Sequence, residues 1–231
     1  MVFMDEPSAR AEICRVGASL YTRGYVHASA GNISVRLADG YLITPTDASL
    51  GQLVPERLAK LDLQGQQLSG DRASKTIVLH RRIYEASANT PTPAGCVIHT
   101  HSRQLVACSL QATAVPGVAP AAELLPALTP YFVMKVGRVP HIAYHRPGSP
   151  DAAQAVAEAI AQYAAAGKPI RAVMLARLGP NVWHESPAAA MAVLEELEET
   201  ALLWNQCRQQ PPAPLSDTQI DELRQSFGAH W

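Results

Sequence analysis

The 231-residue chain carries little charge of either sign. Lys and Arg number 19 against 20 Asp and Glu, for a formal net charge of −1, and no block of like charges stands out. The electrostatic footprint of a nucleic-acid binder is therefore missing. Long apolar runs are also missing: none approaches the roughly 20 residues needed to span a bilayer. The first ten residues carry Asp5 and Glu6 and lack a basic stretch followed by an apolar one, which argues against a signal peptide. Cysteine is sparse as well. Cys14, Cys96, Cys108 and Cys207 show no Cys-X-X-Cys spacing, which excludes a disulfide framework or a cysteine zinc knot. These absences point to a cytoplasmic protein with neither nucleic acid nor membrane as a partner.

An apolar fraction of 48% is enough for one sizeable core. No internal stretch reads as a linker. Composition shifts only at Gln209 to Pro214, where Pro211, Pro212 and Pro214 cluster. The expected organisation is a domain over 1–210 and a tail over 211–231 with a short helix, in which Ile220, Leu223 and Phe227 recur at helical spacing.

Helical periodicity covers Pro7 to Arg23, Ser74 to Ser87, a proline-interrupted stretch within Glu123 to Gly137, and Pro150 to about Gly167. A helix of more than twenty residues follows Ser186-Pro187, and Ser102 suits the N-cap of another. Strand patterns run over Asn32 to Arg36, Tyr41 to Thr44, Leu58 to Leu63, Gln66 to Ser69, Gly95 to Thr100, Arg171 to Ala176 and Asn181 to His184. Interleaved strands and helices predict α/β layering, and hairpin signals such as Asp39-Gly40 predict a mixed, largely antiparallel sheet. The acidic cluster Glu195, Glu196, Glu198 and Glu199 reads as a solvated face or a subunit contact. Trp183, Trp204 and Trp231 read as core or interface residues.

The strongest chemical signal is His99-Thr100-His101. Residues two apart on a strand share a face, so two imidazoles can reach one divalent ion at about 2.1 Å. Alone, such a pair is more often a hydrogen-bonded strand end than a ligand set. It has company in Ala30-Gly31-Asn32-Ile33-Ser34, Thr44-Pro45-Thr46-Asp47 and Ser74-Lys75-Thr76. These glycine-, hydroxyl- and amide-rich segments can cradle a phosphate, and Ser74 at a helix N-terminus would add the dipole.

Taken with His80, Tyr131, Gly137 and Leu178-Gly179-Pro180, these segments resemble the class II aldolase/adducin family in order and approximate spacing, over about Arg10 to Trp204. The stretch Leu128 to Gly137, the Arg146-Pro147-Gly148 turn and Ser74-Lys75 are most similar to its 3-oxo-tetronate 4-phosphate decarboxylase branch. The resemblance implies a three-layer α/β/α sandwich, a homotetramer with active sites between subunits, a divalent metal (commonly zinc) and a sugar-phosphate substrate. It implies His99 and His101 as metal ligands, and Gly31, Asn32, Thr46 and Ser74 as phosphate contacts. Tyr131 is implied as an acid reaching in from a neighbouring subunit. Lys75, by its place next to the phosphate contacts, is suited to pair with a carboxylate or phosphate as a compact cation.

Three positions depart from the family pattern. Thr76 stands where the aldolases carry a glutamate, Leu178 where they carry a third histidine ligand, and Asp47 where the phosphate loop has a glycine. His141, His145 and His184 are candidate substitutes for the third ligand. The expected activity is a metal-dependent lyase that decarboxylates 3-oxo-tetronate 4-phosphate to dihydroxyacetone phosphate. The alternatives are an aldolase or isomerase of the same family, or a non-catalytic binding protein with a degenerate metal site.

Overall fold

A computed structural model describes residues 3–112 and 122–231. Helix α1 (Glu6–Thr22) starts at Asp5, whose carboxylate accepts the Ser8 N–H at 2.9 Å, and buries Ala9, Ile13, Val16 and Leu20 along one face. The chain then forms β1 (Asn32–Arg36), β2 (Gly40–Ile43), β3 (Ala59–Asp62), β4 (Gln67–Ser69), α2 (Ile77–Ser87), β5 (Cys96–His99) and α3 (Arg103–Ala112). After a π-helical turn at Phe132–Val136 come β6 (His141–Ile142), α4 (Pro150–Ala165), β7 (Ala172–Leu175), β8 (Gly179–His184), α5 (Pro187–Gln206) and α6 (Asp217–Phe227).

The eight strands form one sheet in the order β4-β3-β2-β1-β5-β8-β7-β6. All neighbours are antiparallel except the β6–β7 pair. Both faces of the sheet are covered. Cys96 and Ile98 of β5 point into a core shared with α1, α3 and α5, whereas Val97 between them points into a second core with α2 and α4. The period-two alternation of a strand thus feeds two cores, and β5 is buried throughout. This is the α/β layering that the interleaved patterns predicted, in the three-layer α/β/α form that the resemblance implied.

Three local expectations are corrected. Ser102 does not cap α3, because its hydroxyl is tied to the Thr100 hydroxyl at 2.6 Å. The free N–H groups of Gln104 and Leu105 donate instead to the Glu198 carboxylate, at 2.9 and 3.1 Å. Glu198 is therefore a buried cap on a neighbouring helix and not part of a solvated face. Burial pushes its carboxyl above the usual range, and these two amide donors pull it back. Second, Ser74 lies in the turn before α2, which begins only at Ile77. Third, the stretch from Glu123 to Gly137 is not helical until its last turn: Glu123 bridges to Pro140, and only Phe132–Val136 winds, as π-helix. Pro126 and Pro130 remove the donors a regular helix would need.

The tail packs on its own chain. Ile220, Ala229 and Trp231 join the core under α5, and Trp231 meets Phe132 edge-on with ring centroids 5.5 Å apart.

Candidate active site

The sheet brings the ends of β1 and β5 together, with Asn32 directly opposite His99. On the other side of β5, Asn181 of β8 faces His99. Two glycines permit this close approach. Gly31 has φ +84, and a Cβ there would come within 2.9 Å of the His99 carbonyl. Gly179 has φ +152, and a Cβ would sit 1.9 Å from the Thr100 carbonyl oxygen. Any side chain at residue 179 would push β8 away from the histidine strand.

A cavity of about 560 Å³ opens over these strand ends. Gly31, Asn32, Thr46, Ser74, Lys75, His99 and His101 all line it, so seven sequence-predicted site residues converge on one space. Tyr131 does not line it. It is 62% exposed at the start of the π-helical turn, so any role at a site must be played outside its own chain's cavity.

His99 is buried, and its Nδ1 lies 2.9 Å from the Pro180 carbonyl. A carbonyl can only accept, so Nδ1 carries the proton and Nε2 keeps its lone pair. Burial, reinforced by His101, depresses the His99 pKa to about 4. His101 is also held below its ordinary value, by burial and then by His27. Both rings are neutral at pH 7, as metal ligation requires, and their centroids lie 5.2 Å apart.

Beneath the cavity Ser34 Oγ sits 2.7 Å from His80 Nδ1 and 2.7 Å from the Tyr84 hydroxyl. Desolvation, with a contribution from His99, lowers the His80 pKa to about 3. Asn32 Nδ2 donates to Thr76 Oγ1 at 3.3 Å. Asn32 Oδ1 is buried with no protein partner, which leaves it for a substrate hydroxyl or a water.

The departures are visible in the same space. Thr76 and Leu178 both line the cavity. The Thr76 hydroxyl accepts from Asn32 and from Ser74, and the Leu178 side chain offers no donor atom. Among the described residues no three His, Cys, Asp or Glu side chains stand together in ligand geometry. The histidine pair fits two positions of a divalent ion, whereas the family's full ligand set is not present.

His184 is excluded as a substitute. It pairs with Cys96 at the opposite end of β5, three residues and about 10 Å from His99. His141 bonds Ser109 at 3.0 Å, away from the cavity. His145 does line the cavity, together with Arg146. The sequence reading missed Arg146 as a site cation. Its only signal was its place in the Arg146-Pro147-Gly148 turn.

The sequence pattern described as the class II aldolase and adducin N-terminal domain matches residues 11–204. The 3-oxo-tetronate 4-phosphate decarboxylase of Cupriavidus necator is 50% identical over 230 residues, covering 98% of this chain and 99% of the relative. The protein of that name from Escherichia coli K12 is 40% identical over 220 residues, covering 95% and 96%. Among solved structures, YgbL of Escherichia coli superposes with a TM-score of 0.81 at 38% identity, covering 95% of this chain and 99% of that one. L-fuculose-1-phosphate aldolase of Thermus thermophilus does so with 0.70 at 29% identity, covering 89% and 98%. The chain belongs to the class II aldolase/adducin family, on the branch of the 3-oxo-tetronate 4-phosphate decarboxylases.

Proposed function

We propose that this lyase of the class II aldolase family decarboxylates 3-oxo-tetronate 4-phosphate to dihydroxyacetone phosphate. The observation that carries the reading is the one cavity in which a phosphate cradle faces a neutral histidine pair, while Asp47 is the only carboxylate among its described lining residues. Aldol cleavage needs a base to take a hydroxyl proton. Decarboxylation of a β-keto acid does not, because loss of carbon dioxide supplies the electron pair.

The substrate phosphate binds at Gly31, Asn32, Thr46 and Ser74, and Lys75 adds a compact cation beside it. His99 and His101 would hold a divalent ion, zinc being the expected one, which would supply Lewis-acid polarisation of the C3 ketone when bound. The C1–C2 bond breaks, its electrons pass into a C2–C3 double bond, and C2 then takes a proton as C3 returns to a ketone. Lys75 balances the developing negative charge, and Tyr131 of a neighbouring copy in a homotetramer provides the proton. The Pro180 carbonyl keeps His99 in the tautomer that presents Nε2.

The test is a substrate panel. Turnover of 3-oxo-tetronate 4-phosphate far above that of L-fuculose 1-phosphate supports the decarboxylase. The reverse order makes the chain an aldolase. Binding of both with turnover of neither points to a sugar-phosphate binding protein, the reading favoured by the apolar side chain of Leu178.

A further inference from the structure

We infer that Arg146 binds the C1 carboxylate of the substrate, and so selects a keto-acid phosphate over a sugar phosphate that has no carboxylate. The inference deepens the decarboxylase reading and rests on it for the substrate class.

The substrate of that reading has an anion at each end and a ketone between them. The carboxylate is C1, the ketone is C3 and the phosphate is on C4. A sugar phosphate cleaved by an aldolase lacks the first of these charges. A site that separates the two needs a cation beyond the ketone, away from the phosphate. Among the described residues lining the cavity the permanent cations are Lys75 and Arg146. Lys75 belongs to the proposed phosphate cradle, next to Ser74. Arg146 enters from the other side. Asn32 starts β1 and Thr46 follows β2, His99 ends β5, and Arg146 follows β6 at the far edge of the sheet. Strand β6 is parallel to β7, and β7 and β5 are both antiparallel to β8, so the chain leaves β6 at the same end of the sheet as His99. Cradle, histidines and arginine therefore succeed one another across the sheet in the order phosphate, ketone, carboxylate.

The local sequence fixes the arginine's backbone. The Arg146 carbonyl accepts the Ser149 N–H at 3.0 Å, which closes a turn over Pro147 and Gly148, and Gly148 has φ +75. Proline followed by a left-handed glycine is the pattern of a type II turn. Pro147 also keeps Arg146 out of the helical region. The Arg146 guanidinium makes no ion pair among the described residues, so its planar fork of donors is free for the two oxygens of a carboxylate. That grip weakens as the C1–C2 bond breaks, because the carboxylate leaves as neutral carbon dioxide. Loss of Arg146 should therefore raise KM without lowering kcat.

The experiment is isothermal titration calorimetry with two ligands of one chain length. Erythronate 4-phosphate has the carboxylate, and erythritol 4-phosphate has a hydroxymethyl group in its place. Neither has the C3 ketone, so neither is turned over by decarboxylation. Wild type should prefer the erythronate about 10- to 100-fold, the range of a charged hydrogen-bonded pair. In Arg146→Gln the preference should fall below about threefold, with the affinity for erythritol 4-phosphate unchanged. Arg146→Lys, a point charge without the fork, should keep part of it. Arg146 is exposed, so the variants should melt with wild type. With 3-oxo-tetronate 4-phosphate, Arg146→Gln should raise KM by the factor lost in binding and leave kcat at or above wild type. A preference that survives in Arg146→Gln, or that disappears in Lys75→Met instead, overturns the inference and leaves the decarboxylase reading standing. Wild type without a preference overturns it as well. A preference that depends on Arg146 in a protein that forms no dihydroxyacetone phosphate supports the carboxylate site and sinks the decarboxylase reading alone.

Discussion

Asp47 sits on the rim of the proposed phosphate cradle and is unfavourable there on two counts, its charge towards the ligand and its backbone conformation. It is an exposed lining residue with a carboxylate, and its φ of 58 places it in the left-handed region that glycine adopts freely. The two effects are separable. Consecutive Cα atoms are about 3.8 Å apart, so a phosphate on Thr46 lies roughly 6–8 Å from the Asp47 carboxylate. In water, a unit charge and a dianion at that distance repel by about 1.2 kcal/mol, and physiological salt cuts this to about 0.5–1 kcal/mol. Asp47→Asn keeps the shape and removes the charge. It should lower the KM for the phosphorylated substrate, and the Ki for inorganic phosphate, about sevenfold at low salt and about twofold to fivefold at physiological salt. The gain should vanish near 1 M salt, where the screening length falls to about 3 Å.

Asp47→Gly should give the same gain. Its relief of left-handed strain, about 1 kcal/mol, is largely offset by the extra freedom of glycine in the unfolded chain. Its melting temperature should therefore stay within about 2 °C of wild type. Steady-state kinetics at two ionic strengths with both variants decide the matter. Unchanged constants in Asp47→Asn at low salt, or a gain that persists at 1 M salt, refute the placement of phosphate beside Thr46.

Three other outcomes follow from the geometry. Gly179→Ala should cost about 3 kcal/mol or more, because its Cβ would lie 1.9 Å from the Thr100 oxygen. That is a fall of about 6–12 °C in Tm by calorimetry, and a fall under 2 °C would contradict the close approach of β8 to β5. His80 has a folded pKa near 3, below its unfolded value of about 6.5, so the unfolded chain binds the extra proton between them. Its contribution is therefore present above pH 6.5 and lost on acidification, at about 1.4 kcal/mol per pH unit. Urea melts between pH 6 and 4 should show a steeper loss in wild type than in His80→Asn, and equal slopes would show that His80 is not buried neutral. Lys75→Met should lower kcat/KM about 10- to 100-fold with Tm unchanged, and a change under about twofold would remove Lys75 from the site.

The layering was legible because periodicity and turn chemistry agreed. Asn32 to Arg36 reads as a strand and is one, and Asp39-Gly40 marks the hairpin that joins it to β2. The gathering of Gly31, Thr46, Ser74 and His99 in one cavity was implied by the resemblance, since those residues come from separate segments that only the sheet order brings together. What sequence did not reveal depended on long-range partners. Nothing local marks Glu198 as the cap of a helix 94 positions earlier in the chain, and a run of four glutamates within five residues reads as solvent-facing. Ser102 has the right residue type for a cap, yet its hydroxyl is claimed by Thr100. His27 carries no motif, and only its edge contact with His101 places it near the site.

The proposed function is removal of carbon dioxide from a four-carbon keto-acid phosphate through the His99 face of this cavity. Its most direct test is the formation of dihydroxyacetone phosphate from 3-oxo-tetronate 4-phosphate, followed with a coupled reductase, for wild type and His99→Ala after dialysis against zinc. Steady product formation is expected in wild type and none above background in His99→Ala. Wild type that forms no product, or a His99→Ala variant that turns over at the wild-type rate, would contradict it.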